Sequence, residues 1–421
     1  MDLEKFDLTK NDLEIIVARY FIDSELKWDI NSVVVKPFSA SRVGYLGDHF
    51  VLDLNVSQDN NNVRKLSFFL KVLPKRLPPL TRYLESTGTF RKEVYLHRDL
   101  LPKLFSFTRF APEAYFTKNN QLLVFENLES KHFRTISNSG MGIFDKAHLE
   151  KALEVLAKLH SASLMLETKT GRTFPELYPG VLDENCWVRK ENNPRVEELE
   201  NVITILCELV KVVERGNENL ANILETLPQF VLQIYELVKP SNIFRNVICH
   251  GDLWGSNLMF KYSDDGTPFE CLIIDFQFAR YAPPAYDVNM LLTLTTTGEF
   301  RKQHYCELID YYYNCVRRCF IDNCLSPEEI IPERQFLESC KHYRISGLID
   351  NFLVNHVTLL PRSYIDQTFS SPENYAKFSG PDKVRMCLDA LKNDPSYRTR
   401  MIEIIRDLVA ALLSSGIKFS C

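Results

Sequence analysis

Two short segments near residue 250 carry the side chains best suited to chemistry. The first, CHGDLWGSNLMF at 249–260, contains Asp252 and Asn257, and the second, LIIDFQFA at 272–279, contains Asp275. Enzymes that transfer phosphate from Mg²⁺-bound ATP use one carboxylate to face the acceptor hydroxyl, and an amide and a second carboxylate to hold the metal. We therefore predict phosphoryl transfer, with Asp252 as the catalytic base and with Asn257 and Asp275 as ligands of Mg²⁺ on ATP.

Positive charge beside the phosphates is a second requirement of this chemistry, and Lys71 is the candidate. Lys71 lies in the middle of the apolar run FFLKVLP, where an ammonium group is costly unless a carboxylate pairs with it. Glu93, on the helix predicted to follow, is the natural partner, and the paired ammonium group could then reach the α- and β-phosphates. Taken alone, Lys71 would also suit the exposed side of an edge strand, but the downstream motifs favour the phosphate role.

Two other segments are candidates for holding the nucleotide. In SRVGYLGD, Gly44 and Gly47 would let backbone N–H groups approach the phosphates, although a turn between any two strands can contain two glycines. In QLLVFENL, Glu126, Asn127 and Leu128 would offer backbone groups to adenine. The evidence for this second segment is its position between the β-rich and the helical parts of the chain.

Three polar residues near the motifs are predicted to be structural. His250 should support the catalytic loop through hydrogen bonds, and Asp287 should anchor that loop from the start of the next helix. His160 lies on the leucine-rich face of a predicted helix, where a buried, hydrogen-bonded histidine is the common case.

The elements that position these residues change character near residue 127. Before it, apolar periodicity and β-prone runs predict a helix at 10–25, strands at 32–38, 49–56 and 65–74, a helix at 90–104 and a hairpin at 113–128. After it, they predict helices at 148–166, 195–214 and 217–237, and a mainly helical chain from about 285 onward. We therefore predict an α+β fold with two lobes: a small β-rich N-terminal lobe, residues 1–127, and a larger, mainly helical C-terminal lobe, residues 128–421.

Composition excludes several classes of function. The formal net charge of −5 argues against general binding to nucleic acid or to an anionic membrane. The N-terminus lacks the apolar core of a signal peptide, and no run of about 18 apolar residues predicts a membrane span. No two of the 11 cysteines form a C-x-x-C pair, so we predict free thiols in the cytosol and no zinc site. The oligomeric state has no signal in the sequence.

The segment after Asp275 indicates the kind of acceptor. The chain reaches Tyr286-Asp287 within a dozen residues, which leaves no room for the long activation segment with which protein kinases dock peptides. The His-Gly-Asp triplet also lacks the arginine that contacts a phosphorylated activation loop. Both facts point to a small hydroxylated molecule, and the residues that select it are expected near 180–240 and 290–400.

At this point the residues resemble a known family. CHGDLWGSNLMF together with IIDFQFARYAPPAYDV is similar to the ecdysteroid kinase-like family, an insect-expanded group also called CHK kinase-like and related to choline and aminoglycoside kinases. Trp254 and Gln277 distinguish this branch. LVFENL, LAKLHSAS and FRKEVYLHRDLLP match the order of the family's landmarks, so the resemblance covers roughly residues 30–360.

The resemblance implies a protein-kinase-like bilobal fold and ATP- and Mg²⁺-dependent phosphorylation of hydroxyl groups on small, often apolar compounds, such as ecdysteroids or xenobiotics. It implies Lys71 and Glu93 as the phosphate-anchoring pair, Asp252 as the catalytic base, and Asn257 and Asp275 as metal ligands. The loop GYLGDHF departs from the family's usual Gly-Glu-Asn-Tyr pattern. Contacts between this loop and ATP are therefore not carried over from the family.

Two alternative functions stay open from the sequence. A choline- or ethanolamine-type kinase needs an aromatic cage with acidic partners, which Tyr305 and residues 311–313, with Glu307 and Asp310, could supply. Tyrosines at that spacing more often simply pack a helix. A catalytically silent binding protein is the other alternative, and the atypical phosphate loop is its only support.

Overall fold

A five-stranded antiparallel sheet forms the N-terminal lobe. The structure is a computed structural model, and it describes residues 3–21, 28–39, 42, 44–58, 62–136, 142–380 and 382–415. The strands are β1 (Asp29–Pro37), β2 (Asp48–Gln58), β3 (Asn62–Val72), β4 (Ala114–Lys118) and β5 (Leu122–Glu126). They hydrogen-bond in the order β1-β2-β3-β5-β4. Strand β3, which carries Lys71, therefore lies in the middle of the sheet and not at an edge.

Both faces of this sheet are covered by apolar side chains. Side chains of a strand alternate between the two faces, and in β5 Leu122 and Val124 join one buried cluster while Leu123 and Phe125 join another. Helix α1 (Lys10–Tyr20) contributes to the first cluster. Helices α2 (Pro78–Thr87) and α3 (Thr89–Tyr95) contribute to the second. The sheet is thereby clamped between helices, which fixes the position of β3.

Two predicted helices of this lobe differ from the observed ones. The helix predicted at 10–25 ends at Tyr20, and residues 22–27 lie outside the described residues. The helix predicted at 90–104 is interrupted by a π turn at Leu96–Leu100 before α4 (Leu101–Leu104). Pro102 has no N–H group, and its ring would clash with the carbonyl four residues earlier in a regular helix. The wider turn avoids that clash.

Helices make up most of the C-terminal lobe. They are α5 (Lys146–Thr170), α6 (Phe174–Leu177), α7 (Pro194–Val213), α8 (Leu220–Leu232), α9 (Ile234–Leu237), α10 (Pro284–Leu294), α11 (Gly298–Asp322), α12 (Pro327–Ile330), α13 (Glu333–Thr358), α14 (Arg362–Thr368), α15 (Pro372–Phe378), α16 (Asp382–Asn393) and α17 (Pro395–Ser415). Helix α10 is buried along its whole length and packs against α5, α11 and α13, so it forms the centre of the lobe. Among the helices described, none combines the length and the apolar character needed to cross a bilayer.

Two small sheets hold the catalytic segments on this helical lobe. Strand β6 (Val247–Cys249) pairs with β9 (Arg280–Ala282), and β7 (Leu258–Tyr262) pairs with β8 (Pro268–Ile273). The loop with Asp252 and Asn257 connects β6 to β7, and Asp275 follows β8. The pairing of β7 with β8 therefore brings the two motifs together. The predicted α+β fold with a β-rich and a helical lobe is confirmed, and the exact boundary at residues 127 and 128 stays a prediction.

Candidate active site

The loop between β6 and β7 holds Asp252 and Asn257 side by side. The Asn257 side-chain amide, through Nδ2, donates to the Asp252 carboxylate over 3.0 Å and to the Asp252 carbonyl over 2.8 Å. A 3₁₀ turn at Gly255–Asn257 returns the chain toward Asp252 and makes this contact possible. Because the amide nitrogen points toward Asp252, the amide oxygen faces away from it.

His250 fixes this loop through both ring nitrogens. Its Nδ1 accepts a hydrogen bond from the Asp252 N–H group over 3.2 Å, and its Nε2 donates to the Ile274 carbonyl over 3.0 Å. These two bonds require the neutral tautomer with the proton on Nε2, and burial lowers the pKa of His250. The predicted structural role of His250 is confirmed, and the ring ties the loop to the residue that precedes Asp275.

Asp287, in the first turn of α10, anchors the same loop. Its carboxylate accepts hydrogen bonds from the backbone N–H groups of His250 over 2.5 Å and of Gly251 over 2.9 Å. His160 lies 3.2 Å from that carboxylate through Nε2, and its Nδ1 is hydrogen-bonded to the hydroxyl of Tyr312 over 2.6 Å. The structural roles predicted for Asp287 and His160 are therefore both confirmed.

Cys249 lies close to His160 and Asp287, and the ligand atoms of the three residues are within 4.8 Å of one another. Each side chain is already engaged, however, and the Cys249 thiol donates to the carbonyl groups of Ala282 over 3.3 Å and Pro283 over 3.4 Å. Burial raises the pKa of this thiol, which disfavours the thiolate that a metal would need. We therefore assign this buried cluster to loop anchoring and not to metal binding.

Lys71 joins two carboxylates that come from different elements. Its ammonium group donates to Glu93 over 2.6 Å and to Asp275 over 2.7 Å. Burial by itself would lower the pKa of Lys71, but the two carboxylates outweigh that effect and raise it. The ammonium group therefore stays charged, and the predicted pair of Lys71 with Glu93 is present. The contact with Asp275 links the sheet of the N-terminal lobe to the motif in the helical lobe.

Phe276 continues this link through a column of rings that contact one another edge to face. Asp275 has a left-handed backbone conformation, with φ of 72°, and Phe276 after it is fully buried. The Phe276 ring lies edge-on to His250 at 4.8 Å and to His97 at 5.6 Å between ring centroids, and His97 packs in turn against Phe125. Burial lowers the pKa of His97 to about 3, so its ring is neutral. The column connects the N-terminal lobe with both catalytic segments.

The predicted phosphate loop lies directly over Lys71. A Cβ atom on Gly47 would come within 3.2 Å of the Lys71 side chain, so the missing side chain permits the close approach. Gly44 has φ of +72°, a conformation that glycine adopts without strain. Arg42 holds the loop by donating to the Gly47 carbonyl over 2.9 Å and by pairing with Asp48 over 2.8 Å. The loop thus borders a cavity beside the catalytic residues. Contacts of Gly44 and Gly47 with nucleotide stay a prediction.

Glu126, Asn127 and Leu128 connect β5 to the helical lobe and line the cavity. The Glu126 side chain is buried and engaged elsewhere, because its carboxylate pairs with Arg109 and Lys131. The backbone of this segment is therefore what it can offer to a ligand. This is the role that the sequence predicts for the three residues, and the contact with adenine itself stays a prediction.

The environment of Asp252 raises the pKa of its carboxyl group well above that of a free aspartate. Burial and the negative charge of Asp275 raise the pKa of Asp252 to about 7, against the opposing effects of the Asn257 hydrogen bond and of the charges on Arg195 and Arg280. A carboxylate that titrates near the working pH suits general base catalysis better than a free aspartate does.

Asn257 and Asp275 have the oxygen atoms that Mg²⁺ requires. One carboxylate oxygen of Asp275, Oδ1, accepts from Lys71, while its Oδ2 and the Asn257 Oδ1 accept no hydrogen bond from any residue that the structure describes. An amide and a carboxylate oxygen are hard donors of the kind Mg²⁺ prefers. The donor set fits the metal, which when bound to ATP would neutralise charge on the phosphates.

The chain between Asp275 and α10 is short. It consists of a 3₁₀ turn at Phe276–Phe278, strand β9 and a single residue before Pro284 begins the helix. This described stretch holds no long activation segment, as the sequence predicts. The space beside Asp252 is therefore bordered by helices of the C-terminal lobe.

Comparison with models of known protein families decides the family. The model described as the Ecdysteroid kinase-like family matches residues 43–322, which is well over half of the chain. This chain belongs to the ecdysteroid kinase-like family. The predicted family is thereby confirmed, and membership indicates a small-molecule kinase. A search of curated proteins found no match.

A cavity of about 620 Å³ in this ecdysteroid kinase-like protein runs from the catalytic residues into the helical lobe. We call the part beyond Asp252 the acceptor chamber. Its aromatic walls are Tyr45, Tyr83, Trp187, Trp254, Phe278, Phe369, Tyr375 and Phe378, and its charged residues are Arg195, Glu197, Glu198, Asp350 and Lys383. Most of them lie within 180–240 and 290–400, where the sequence placed them. Sequence reasoning missed the individual residues because the apolar pattern of a helix does not reveal which turn faces a cavity.

Tyr45 is the residue by which the atypical loop reaches the acceptor chamber. Its ring lies 6.2 Å from that of Trp254 and 6.1 Å from that of Phe369, and its hydroxyl is 3.5 Å from the Val357 carbonyl. The loop that departs from the family pattern therefore closes one side of the chamber.

The aromatic cage suggested for a choline-type kinase is not part of this chamber. The hydroxyl of Tyr305 donates to Asn289 over 2.7 Å, and that of Tyr313 donates to the Ile331 carbonyl over 3.0 Å. Glu307 is exposed and pairs with Lys146 on the surface. These tyrosines pack α11 against its neighbours, which is the common role that the sequence also allowed for them.

Proposed function

We propose that this protein transfers the γ-phosphate of Mg²⁺-ATP to a hydroxyl group of a small, mainly apolar acceptor of the ecdysteroid or xenobiotic type. The observation that carries the proposal is that one cavity brings together Asp252, the ion pair of Lys71 with Asp275, and an aromatic chamber. A base, a cation for the phosphates and an apolar space for the acceptor are the parts that such a transfer needs.

Each residue has a defined part in the proposed transfer. Asp252 accepts the proton of the acceptor hydroxyl as that oxygen attacks the γ-phosphorus, and ADP leaves from the opposite side. Lys71, held by Glu93, donates to the α- and β-phosphates. Asn257 and Asp275 hold Mg²⁺ through their free oxygens.

The residues that the sequence offered for a choline- or ethanolamine-type acceptor do not support that alternative. Tyr305 and residues 311–313 lie outside the lining of the chamber. A cytosolic location and the absence of nucleic-acid and membrane partners stay predictions from the sequence.

The test uses the purified full chain with ATP and a panel of hydroxylated steroids, phenols and amino alcohols. We expect a mass gain of one phosphate on apolar hydroxyl compounds, and only when Mg²⁺ is present. Failure of Mg²⁺-ATP to raise the melting temperature would instead favour a catalytically silent binding protein.

Asp252→Asn removes the base and should lower kcat by roughly 10²- to 10⁴-fold, the usual contribution of general base catalysis. Mg²⁺-ATP should still raise the melting temperature of this variant, because the metal ligands and Lys71 are intact. Asp264→Asn, at the exposed turn between β7 and β8, is the matched control. Unchanged turnover in Asp252→Asn would contradict the assigned role.

A further inference from the structure

Two buried cations lie on helices that border the acceptor chamber. Arg195 is in the first turn of α7, and Lys383 is in the first turn of α16. Both line the cavity, and both are more than nine-tenths buried, with 6% of the surface of each exposed. Buried cations of this kind are rare in proteins unless a carboxylate pairs with them.

Lys383 has no such partner among the residues that the structure describes. Its ammonium group makes no hydrogen bond and no salt bridge with them, and its recorded contact is the Phe378 ring, whose centroid lies 4.8 Å away. Burial lowers the pKa of Lys383, the negative charge of Glu198 opposes this effect, and the like charge of Arg195 adds to it. Lys383 therefore presents an ammonium group to the cavity whose bonding capacity is unused.

Arg195 is only partly satisfied. Its Nη1 donates to Glu198 over 3.0 Å, but its Nε and Nη2, which form the other edge of the guanidinium group, have no described partner. The rings of Tyr83 and Phe278 lie 4.9 Å and 4.8 Å from it and hold its plane. This edge is enclosed by its neighbours, so Arg195 contributes positive charge to the chamber, while a hydrogen bond to a ligand must come from Lys383.

Two of the three carboxylates of the chamber are already engaged. Glu198 accepts from Arg195 and, over 2.5 Å, from the Tyr83 hydroxyl. Asp350 accepts from the Tyr286 hydroxyl over 2.7 Å. The third, Glu197, is exposed. None of the three accepts a hydrogen bond from Lys383 in the described residues, so a ligand anion can supply the acceptor that this ammonium group lacks.

We propose that Lys383 and Arg195 form an anion subsite, and that the acceptor is a hydroxylated apolar compound carrying a carboxylate or sulfate group at a distance from the hydroxyl. This inference rests on the proposed function, because it places the acceptor hydroxyl at Asp252. The aromatic walls hold the apolar body, and the two cations hold its charged end. Lys383 thereby determines specificity and takes no part in the chemistry.

A phosphate of ATP is the other anion that could reach this subsite. Lys71 and Asp275 mark the nucleotide end of the cavity, whereas Lys383 is carried by a helix near the C-terminus that packs on α7 and α17. The two sources predict different effects of a Lys383 variant. Loss of ATP affinity indicates the nucleotide, and loss of preference for an acidic acceptor indicates the subsite proposed here.

The probes are lithocholic acid and para-hydroxycinnamic acid, each compared with its own methyl ester. Both acids carry a hydroxyl at one end of an apolar body and a carboxylate at the other. Binding to the full chain is measured by calorimetry without ATP, and transfer is measured separately as kcat/KM with Mg²⁺-ATP. Calorimetry keeps the test independent of catalysis, so that a failure of the proposed function and a failure of the subsite are distinguishable.

The variants are Lys383→Met, which keeps the length of the side chain, and Lys383→Arg, which keeps its charge. Lys392→Met, exposed on the last turn of the same helix, is the matched control. Replacing a buried charge by an apolar side chain of similar size is often tolerated. If Lys383→Met nevertheless fails to fold, Lys383→Gln tests the same subsite by removing the charge while keeping a polar side chain.

We expect at least one wild-type acid to bind roughly tenfold to a hundredfold more tightly than its ester, the effect of one charged hydrogen bond. Lys383→Met should lose that preference with ester binding unchanged, while Lys383→Arg and Lys392→Met should keep it. If Lys383→Met loses the preference for the acid in binding, the subsite is supported. If no phosphate is transferred in the same samples, that result counts against the kinase function and not against the subsite. The proposal is overturned if neither acid is preferred, if Lys383→Met keeps the preference, or if it weakens ATP binding instead.

Discussion

The proton on Asp252 is subject to opposing influences from its neighbours. Burial and the charge of Asp275 favour the neutral acid, while the Asn257 amide and the positive charges of Arg195 and Arg280 favour the carboxylate. The balance gives a pKa of about 7, far above that of a free aspartate. A carboxyl group with this pKa is deprotonated in about half of the molecules at neutral pH. In that form it is a stronger base than a free aspartate.

This balance predicts the pH dependence of the reaction. Only the deprotonated Asp252 can accept a proton, so kcat/KM should fall as the pH drops below about 7, the pKa given for this residue. Bound Mg²⁺ would offset the charge of Asp275, so the corresponding limb of kcat should lie at lower pH. The measurement is a pH–rate profile with Mg²⁺-ATP as the varied substrate, so that kcat/KM reports the enzyme before the nucleotide binds. A limb of kcat/KM near pH 4, the value of an ordinary aspartate, would contradict the assignment.

Residues of the motifs could be predicted from the sequence, because their spacing on a short loop or strand determines their contacts. Asp252 and Asn257 touch, and Lys71 pairs with Glu93, as expected. Lys383 could not be predicted in the same way. Nothing in the residues around it indicates that its helix turns it toward the cavity that Arg195 also lines. That orientation depends on how distant helices pack.

The catalytic loop is the element that tolerates least change, because its backbone turns sharply at Gly251. This residue has φ of +77°, and a Cβ atom on it would lie 2.5 Å from the Phe278 carbonyl. Gly266, at the turn between β7 and β8, has a similar φ of +84° but no atom within 4 Å of its Cβ position. The two glycines thus share backbone strain and differ in steric contact.

This pair separates strain from clash in one measurement. Gly266→Ala should lower the free energy of unfolding by about 1 to 2 kcal/mol, the cost of a left-handed conformation for alanine. Gly251→Ala adds a clash with backbone that cannot move away, and should cost a further 1 to 3 kcal/mol or so. Denaturant unfolding of both variants tests this. Equal losses would mean that the loop shifts freely, which would weaken the case for a rigidly placed Asp252.

Helices and strands could be predicted where a single apolar pattern extends over the whole element. The strand carrying Lys71 and the second strand of the hairpin before residue 128 are short apolar runs, and α5 follows a helical stripe. The π turn at Leu96–Leu100 was not predicted, because the apolar spacing of 90–104 continues across it. That irregular turn places His97 in the ring column, so the departure from a regular helix has a consequence for the site.

At the scale of the whole molecule, the site exists only where the two lobes meet. The N-terminal lobe supplies Lys71 and Glu93, and the helical lobe supplies Asp252, Asn257 and Asp275. Sequence reasoning could assign residues to lobes through composition, but it had no information on how the lobes are held together. The structure answers this through a small number of buried polar contacts that cross between them.

Lys92 makes the most extensive of the crossing contacts described for α3. Its ammonium group donates to the Asp183 carbonyl over 2.5 Å, to the Asn185 side chain over 2.9 Å and to the Ala279 carbonyl over 2.9 Å. All three of its donors are used, and the residue is 9% exposed. Because Lys92 precedes Glu93 in the helix, these bonds also set the distance of the Lys71 partner from the helical lobe.

Lys92→Met should therefore affect both stability and nucleotide binding. It leaves three acceptors without a donor, of which the Ala279 carbonyl is buried. This should lower the free energy of unfolding by about 1 to 3 kcal/mol. It also frees α3 to move, which should weaken Mg²⁺-ATP binding. Arg91→Met removes a neighbouring charge that is exposed on the same helix and serves as the control. Denaturant unfolding and calorimetry with Mg²⁺-ATP measure the two effects. Lys92→Met could instead match Arg91→Met in stability and in Mg²⁺-ATP binding. In that case apolar packing alone would hold the lobes in place, and the alignment of Glu93 with Asp275 would not depend on Lys92.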